Sequence, residues 1–186
     1  MRAENKLHFS PSCIFDELRF EDKGKLIACF RDRVYGFYLD PASLLNEKKF
    51  GFASGLLCVA IIDSLARIEY PMKAVGNRIQ KWLKNNIKEF DQRDFARRFY
   101  EDFRCGLVHE GRIKNPGEFS YESDKIISSE DEITRINPDK LLKEIERTFE
   151  QYLTTLWRDP SVFKQFKDAL KKDFEEEVNR EKKHIM

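Results

Sequence analysis

The apolar positions of this chain fall into helix-period stripes separated by polar breaks. Over residues 22–39, Leu26, Ile27, Phe30, Val34, Phe37 and Tyr38 recur at three- and four-residue spacing, which predicts an amphipathic helix. Asp40-Pro41 follows and is read as its stop, because proline lacks the N–H the next turn needs. Residues 50–70 are apolar almost all round, through Leu56, Leu57, Val59, Ile61, Ile62 and Leu65. A helix without a polar face belongs at the centre of a bundle or in a subunit interface. Gly51, Ala53, Gly55 and Ala60 leave room for close helix approach. Asp63 interrupts this wall. It is either a partly exposed side chain near the helix end or a carboxylate aimed at a site on a neighbouring helix.

Pro71 ends that helix, and a third is predicted over 74–87 with Val75, Ile79, Trp82 and Leu83 facing inward. A fourth starts from an Asp91 or Asp94 cap and runs to about Val108. In it Phe95, Phe99, Phe103 and Leu107 form a strict i, i+4 row, and Gly111 reads as the C-cap glycine. Residues 112–137 change character. Phe119-Ser120-Tyr121, Ile126-Ile127-Ser128 and Ile133-Thr134-Arg135-Ile136 are short β-leaning pieces between polar turns, opened by Pro116-Gly117. They predict a small β-hairpin or meander inserted between helices. Asn137-Pro138-Asp139 opens the next helix, to about Trp157, on Leu142, Ile145, Phe149, Tyr152, Leu153 and Leu156. After Asp159-Pro160 a last helix carries Phe163, Phe166, Leu170, Phe174 and Val178 opposite a face of lysines and acids. The pairing of residues 1–20, with a turn signal at Ser10-Pro11-Ser12, is left open. The expected architecture is all-α: an up-and-down helical bundle of about five to six helices with a small β-hairpin insertion. It forms a single domain over residues 1–186, with a core at about 22–157, the β-excursion at 112–137 and a C-terminal helix at 160–186.

Composition sharpens this only a little. An apolar share of 41% against 36% charged residues excludes general disorder, and 186 residues can bury a full core. The net charge of +1 does not advertise a polyanion partner. Between Lys73 and Arg112, however, ten Lys/Arg stand against six Asp/Glu. That excess suits a phosphate-bearing partner or an ordinary solvated helix face. Cys13, Cys29, Cys58 and Cys105 show neither disulfide nor metal-ligand spacing, and Cys29 and Cys58 lie in apolar runs as small core residues. The N-terminus leads into no apolar leader, and the uncharged run 50–62 is too short to cross a bilayer. The expectation is a soluble cytoplasmic protein.

The candidate chemistry lies at the end of the fourth helix. Histidine titrates near neutrality and can give and take protons. Arginine stays charged and fits a phosphate with two parallel hydrogen bonds. Arg104 and His109 together are what metal-free cleavage of an RNA backbone needs, one for the proton and one for the charge that grows on phosphorus oxygens. Five residues along a regular helix set them about 140° apart. A long arginine bridges part of that gap, and a second copy across a two-fold axis could complete the site. Asp102 shares the helical row of His109, as does Arg112 if the turn continues, and either could orient the imidazole. A lone histidine at a helix C-terminus is also a favourable partner of the helix dipole. Cys105 beside a cation could carry a lowered thiol pKa, although a helix C-terminus disfavours thiolate. Arg97, Arg98, Arg112 and Lys114 could follow an RNA backbone, or be plain surface charge.

The segment Phe99-Tyr100-Glu101-Asp102-Phe103-Arg104-Cys105-Gly106-Leu107-Val108-His109-Glu110-Gly111 resembles the signature of HEPN domains. These are helical bundles with an arginine, usually a polar residue, a short gap and a histidine near the end of one helix. Arg104 and His109 match that motif, and Cys105 departs from the polar residue usual after the arginine. The resemblance implies a metal-independent endoribonuclease without cofactor, acting as a homodimer whose two motifs face one cleft. It also implies a place among toxin–antitoxin, antiviral-defence or RNA-processing systems, with RNA and an antitoxin or defence component as partners. A non-catalytic dimerisation or partner-binding module, or a nucleotide-binding domain, fits the same residues.

Overall fold

Asp22 starts the first helix, its carboxylate accepting the backbone N–H of Lys25 at 2.9 Å. The architecture comes from a computed structural model that describes residues 2–3 and 6–175. The predicted Val178 and the end of the 160–186 helix lie outside the described residues. Helix α1 (Lys23–Val34) does not stop at Asp40-Pro41. A π-helical turn (Tyr35–Leu39) joins it to α2 (Asp40–Glu47) as one rod. Proline removes an N–H and crowds the carbonyl four residues back. The widened turn just before Pro41 sends the Asp40 N–H to the Tyr35 carbonyl and gives the ring its space. The expected stop is thus an accommodated proline.

Helix α3 (Gly51–Glu69) packs on α2, on α4 (Val75–Asn86), on α7 (Pro138–Arg158) and on α8 (Pro160–Asp173). This cover accounts for the apolar residues on the packed sides, while Phe52 and Leu56 stay exposed on the remaining stripe. Its 19 residues make it, among the described residues, the one helix long and apolar enough to cross a membrane. That corrects the shorter run read from the sequence, though half of its most apolar stretch is buried inside the fold. The motif rod comprises α5 (Phe95–Arg98), a second π-turn (Phe99–Arg104) and α6 (Cys105–Glu110). Gly111 closes it at φ 65°, the left-handed position that suits glycine. The molecule is mainly helical with a small three-stranded sheet, and is therefore not a pure bundle.

The sheet corrects the predicted meander. Strands β4 (Ile127–Glu130) and β5 (Ile133–Ile136) form the hairpin, turning through Asp131 and Glu132, both at positive φ. Strand β3 (Gly117–Phe119) lies parallel to β5 on its other edge, giving the order β3-β5-β4. It begins at the Pro116-Gly117 turn signal and ends where the predicted strand began. A further pair, β1 (Arg2–Ala3) and β2 (Lys6–Leu7), lies antiparallel near the N-terminus. The larger sheet is pinned by Asn137, whose side-chain oxygen caps α7 through Asp139 and Lys140. Its amide nitrogen donates to the carbonyls of Tyr121 and Ser123. Phe119 from β3 lies over Gly55 of α3, where any Cβ would overlap its ring. A small residue expected to admit a helix admits an aromatic ring instead. The core is aromatic elsewhere too, with Phe30 against both Phe149 and Phe166. Cys29 and Cys58 are buried, and burial pushes both thiols up to about 12.

At the end of α3, burial pushes the Glu69 carboxyl up to about 7, while the indole N–H of Trp82, donating at 2.7 Å, pulls the other way. In the unfolded chain the group titrates near 4.5. Between those values the folded protein holds a proton that the unfolded chain has released, so stability falls as pH rises through that window. The loss is on the order of 3 kcal/mol. Urea unfolding at pH 5 and pH 8 should show wild type losing about that much more than Glu69→Gln, which keeps an acceptor for Trp82. Parallel profiles for the two proteins would contradict the assignment.

Candidate functional site

Three helices converge on one carboxylate. Asp63 of α3 accepts Arg104 Nη2 at 2.7 Å and Nε at 3.1 Å on Oδ2, and Arg78 Nη2 of α4 at 3.1 Å on Oδ1. The side chains are 22%, 14% and 15% exposed, so the triad sits in the molecular wall rather than free in solvent. Partial burial strengthens such pairs over surface ones. Burial works against the Arg104 charge, and Asp63 outweighs it, holding the guanidinium above its ordinary range. Two guanidiniums against one carboxylate leave a net positive spot.

The third nitrogen of Arg104 reaches the imidazole. Nη1 lies 3.1 Å from His109 Nε2. Arginine can only donate, so Nε2 accepts and the ring proton sits on Nδ1. His109 itself is exposed, with only the far side of its hydrogen bond built into the wall. The angular gap between positions 104 and 109 is therefore spanned by the length of the arginine, whose guanidinium faces Asp63 with one edge and His109 with another.

The π-turn places Arg104. A strict four-residue row drifts about 40° per step around an α-helix. Widening the turn at Phe99–Arg104 offsets that drift, and Phe95, Phe99, Phe103 and Leu107 are all buried. The Cys105 N–H goes back five residues to the Tyr100 carbonyl. Such single turns recur at functional sites because they re-aim the residues beside them. Tyr100, within the turn, packs its ring on Gly76 of α4, where a Cβ would lie 2.8 Å from Cε1. Burial raises its hydroxyl, and a bond to the partly exposed Cys105 raises it further.

Other predicted site residues lie elsewhere. Asp102 does not orient the imidazole. It is buried and accepts Asn115 Nδ2 at 2.6 Å, while its carbonyl takes the Lys114 N–H at 2.9 Å, so it folds the chain back after Gly111. Arg112 does not continue the row, because the helix has ended, and it pairs with Glu110, as does the Lys114 ammonium. Arg97 pairs with Asp94 and Glu101. Arg98 pairs with Asp94 and donates to Thr134 Oγ1 at 2.9 Å, tying the motif helix to the sheet. The sequence reading missed Arg78 and Tyr100. A signal for Arg78 was present: a carboxylate in an apolar wall requires a cation, and Arg78 flanks the same short α3–α4 connection.

No family model, curated protein or solved structure matches this chain. What fold and site define is a mainly helical protein carrying an arginine–histidine pair braced by a shared carboxylate.

Asp63→Asn should lower stability by about 1–3 kcal/mol in urea unfolding, because an amide leaves two partly buried guanidiniums facing each other. A loss under about 0.5 kcal/mol, the level of an ordinary surface pair, would show that the triad does not brace the helices.

Proposed function

We propose that this protein is a HEPN-like, metal-independent endoribonuclease that cleaves single-stranded or loop RNA by acid–base chemistry. The observation that carries the reading is the 3.1 Å contact between Arg104 Nη1 and the exposed His109 Nε2, backed by Asp63. In the proposed step the substrate phosphate draws Arg104 Nη1 off the imidazole, and the freed lone pair of His109 Nε2 takes the proton of a ribose 2′-hydroxyl. The freed oxygen attacks the adjacent phosphorus, the bond to the 5′-oxygen breaks, and a 2′,3′-cyclic phosphate and a 5′-hydroxyl end result. Arg104, with the net positive charge supplied by Arg78, faces the equatorial oxygens where negative charge grows. A second imidazole, from a twin chain and starting as the imidazolium, gives its proton to the leaving oxygen, so the two rings exchange protonation states over the step. The proposal thus includes a homodimer acting in the cytoplasm, in a toxin–antitoxin or antiviral-defence setting, with an antitoxin or defence component as partner. Phe52 and Leu56 support the twin: both are exposed, and they share the stripe of α3 that leads to Asp63.

The same exposed stripe favours one rival, a helical module that binds a partner and cleaves nothing. The two readings separate on incubation with mixed RNA in EDTA. The nuclease reading expects cleavage that yields cyclic phosphate ends, slowed 10²- to 10⁴-fold by His109→Ala, the usual range for a lost acid–base group. Equal cleavage by both proteins, or none by either, leaves the partner-binding module. Growth arrest on overexpression, relieved by Arg104→Ala, is the cellular counterpart.

A further inference from the structure

A cavity of about 360 Å³ lies between the C-terminal end of α3 and helices α4, α7 and α8, away from the arginine–histidine pair. Six residues past Asp63 turn Glu69 about 120° from it around α3. Glu69, Tyr70, Thr148, Tyr152 and Gln165 are among its lining residues. We propose that this cavity is a second binding site, for a small organic cation with planar N–H donors such as an amidinium or guanidinium, anchored on the Glu69 carboxylate.

The chemistry of the walls points to that class. Among the described residues Glu69 has no cationic partner; one oxygen takes only the neutral indole N–H of Trp82 at 2.7 Å. Its place in the last turn of α3 puts it at the negative end of the helix dipole, which favours a cation beside it. Gln165 Nε2 donates to the Glu69 backbone carbonyl at 2.7 Å and so is not spent on the carboxylate, which stays open to a ligand. Thr148, at 4% exposure, carries a buried hydroxyl with no hydrogen-bond partner in the cavity wall. An unsatisfied buried polar group is costly, and a ligand donor or acceptor would relieve it. Among the described residues, the facing elements place no ion pair on the carboxylate. Helix α4 presents Trp82, α8 presents Gln165, and α7 presents Tyr152, whose hydroxyl burial pushes upward and keeps neutral. Beside the cavity-lining Tyr70, the Lys81 ammonium is engaged over the ring at 5.0 Å. A concave, partly apolar cavity with one unpaired, desolvated carboxylate is what recognition of a flat cation uses.

The test uses benzamidine, with neutral benzamide as its isostere, in titration calorimetry on the full chain at pH 6, 7 and 8. Benzamidine should bind at least tenfold more tightly than benzamide. Its affinity should drop about tenfold per pH unit below about 7, where the Glu69 proton competes with the ligand. Glu69→Gln should weaken benzamidine at least tenfold and flatten the pH profile, and Thr148→Val should weaken it several-fold. No binding at millimolar benzamidine, equal affinity for the two probes, or a flat pH profile in wild type would overturn the site without recourse to any variant. So would Glu69→Gln binding as wild type does. None of these outcomes bears on RNA cleavage, which depends on other residues.

Discussion

One carboxylate organises this molecule. Asp63 stands on the most apolar helix of the fold, where an uncompensated charge is costly. Two guanidiniums, from α4 and the motif helix, pair with it and leave the triad net positive. The constraint works in both directions. Arg104 is too short of freedom, with two of its nitrogens on Asp63, to swing into solvent, and its third nitrogen is left pointing at His109. The site is thus a by-product of keeping α3 electrically satisfied: the same bonds that hold α3, α4 and the motif helix together fix the orientation of the guanidinium. With Nε and Nη2 held on Asp63, the guanidinium keeps its orientation and only Nη1 has to change partner when charge develops nearby, so little reorganisation is needed.

Two widened helical turns make that arrangement fit. One lets the chain continue through Pro41; the other, at Phe99–Arg104, keeps four aromatic and aliphatic anchors on the core while Arg104 reaches across to α3. The cost of the irregular turn is met locally. The Asp102 carbonyl, inside the turn, finds the Lys114 N–H, and the Asp102 carboxylate finds Asn115. The segment that follows Gly111 is therefore folded back onto the motif helix, and the sheet it enters packs through Phe119 on Phe103 at 5.3 Å and on Gly55. The β-excursion reads as a brace for the motif helix.

The stripes of apolar residues made the helices legible. Helix α3, α4, the motif helix, α7 and the start of α8 lie within a residue or two of where periodicity placed them, because long amphipathic or buried stretches leave few alternatives. What local pattern could not show was anything decided by partners distant in sequence. Pro41 reads as a stop until a π-turn absorbs it. The parallel edge strand β3 is set by pairing with residues 17 positions later, beyond any hairpin signal. Asp102 shares the helical row of His109 in the sequence, and only packing decides that it turns inward to Asn115 while Asp63, from a neighbouring helix, holds Arg104. Asp63 in an apolar wall signalled that some cation must meet it, but only packing singles out Arg78 among the several cations of α4. The strict four-residue aromatic row was visible, and its mismatch with 3.6 residues per turn was the trace of the π-turn.

Everything at this site turns on Arg104 donating to the imidazole of His109, and the protonation site of that ring reports on it directly. Long-range ¹⁵N–¹H correlation spectra of labelled protein at pH 8.5 distinguish the two neutral tautomers. The geometry predicts that His109 carries its proton on Nδ1, with Nε2 accepting from Arg104, and that Arg104→Ala returns the ring to the Nε2–H form that isolated imidazole side chains prefer. A wild-type His109 protonated on Nε2, or a ring indifferent to loss of the guanidinium, would contradict it.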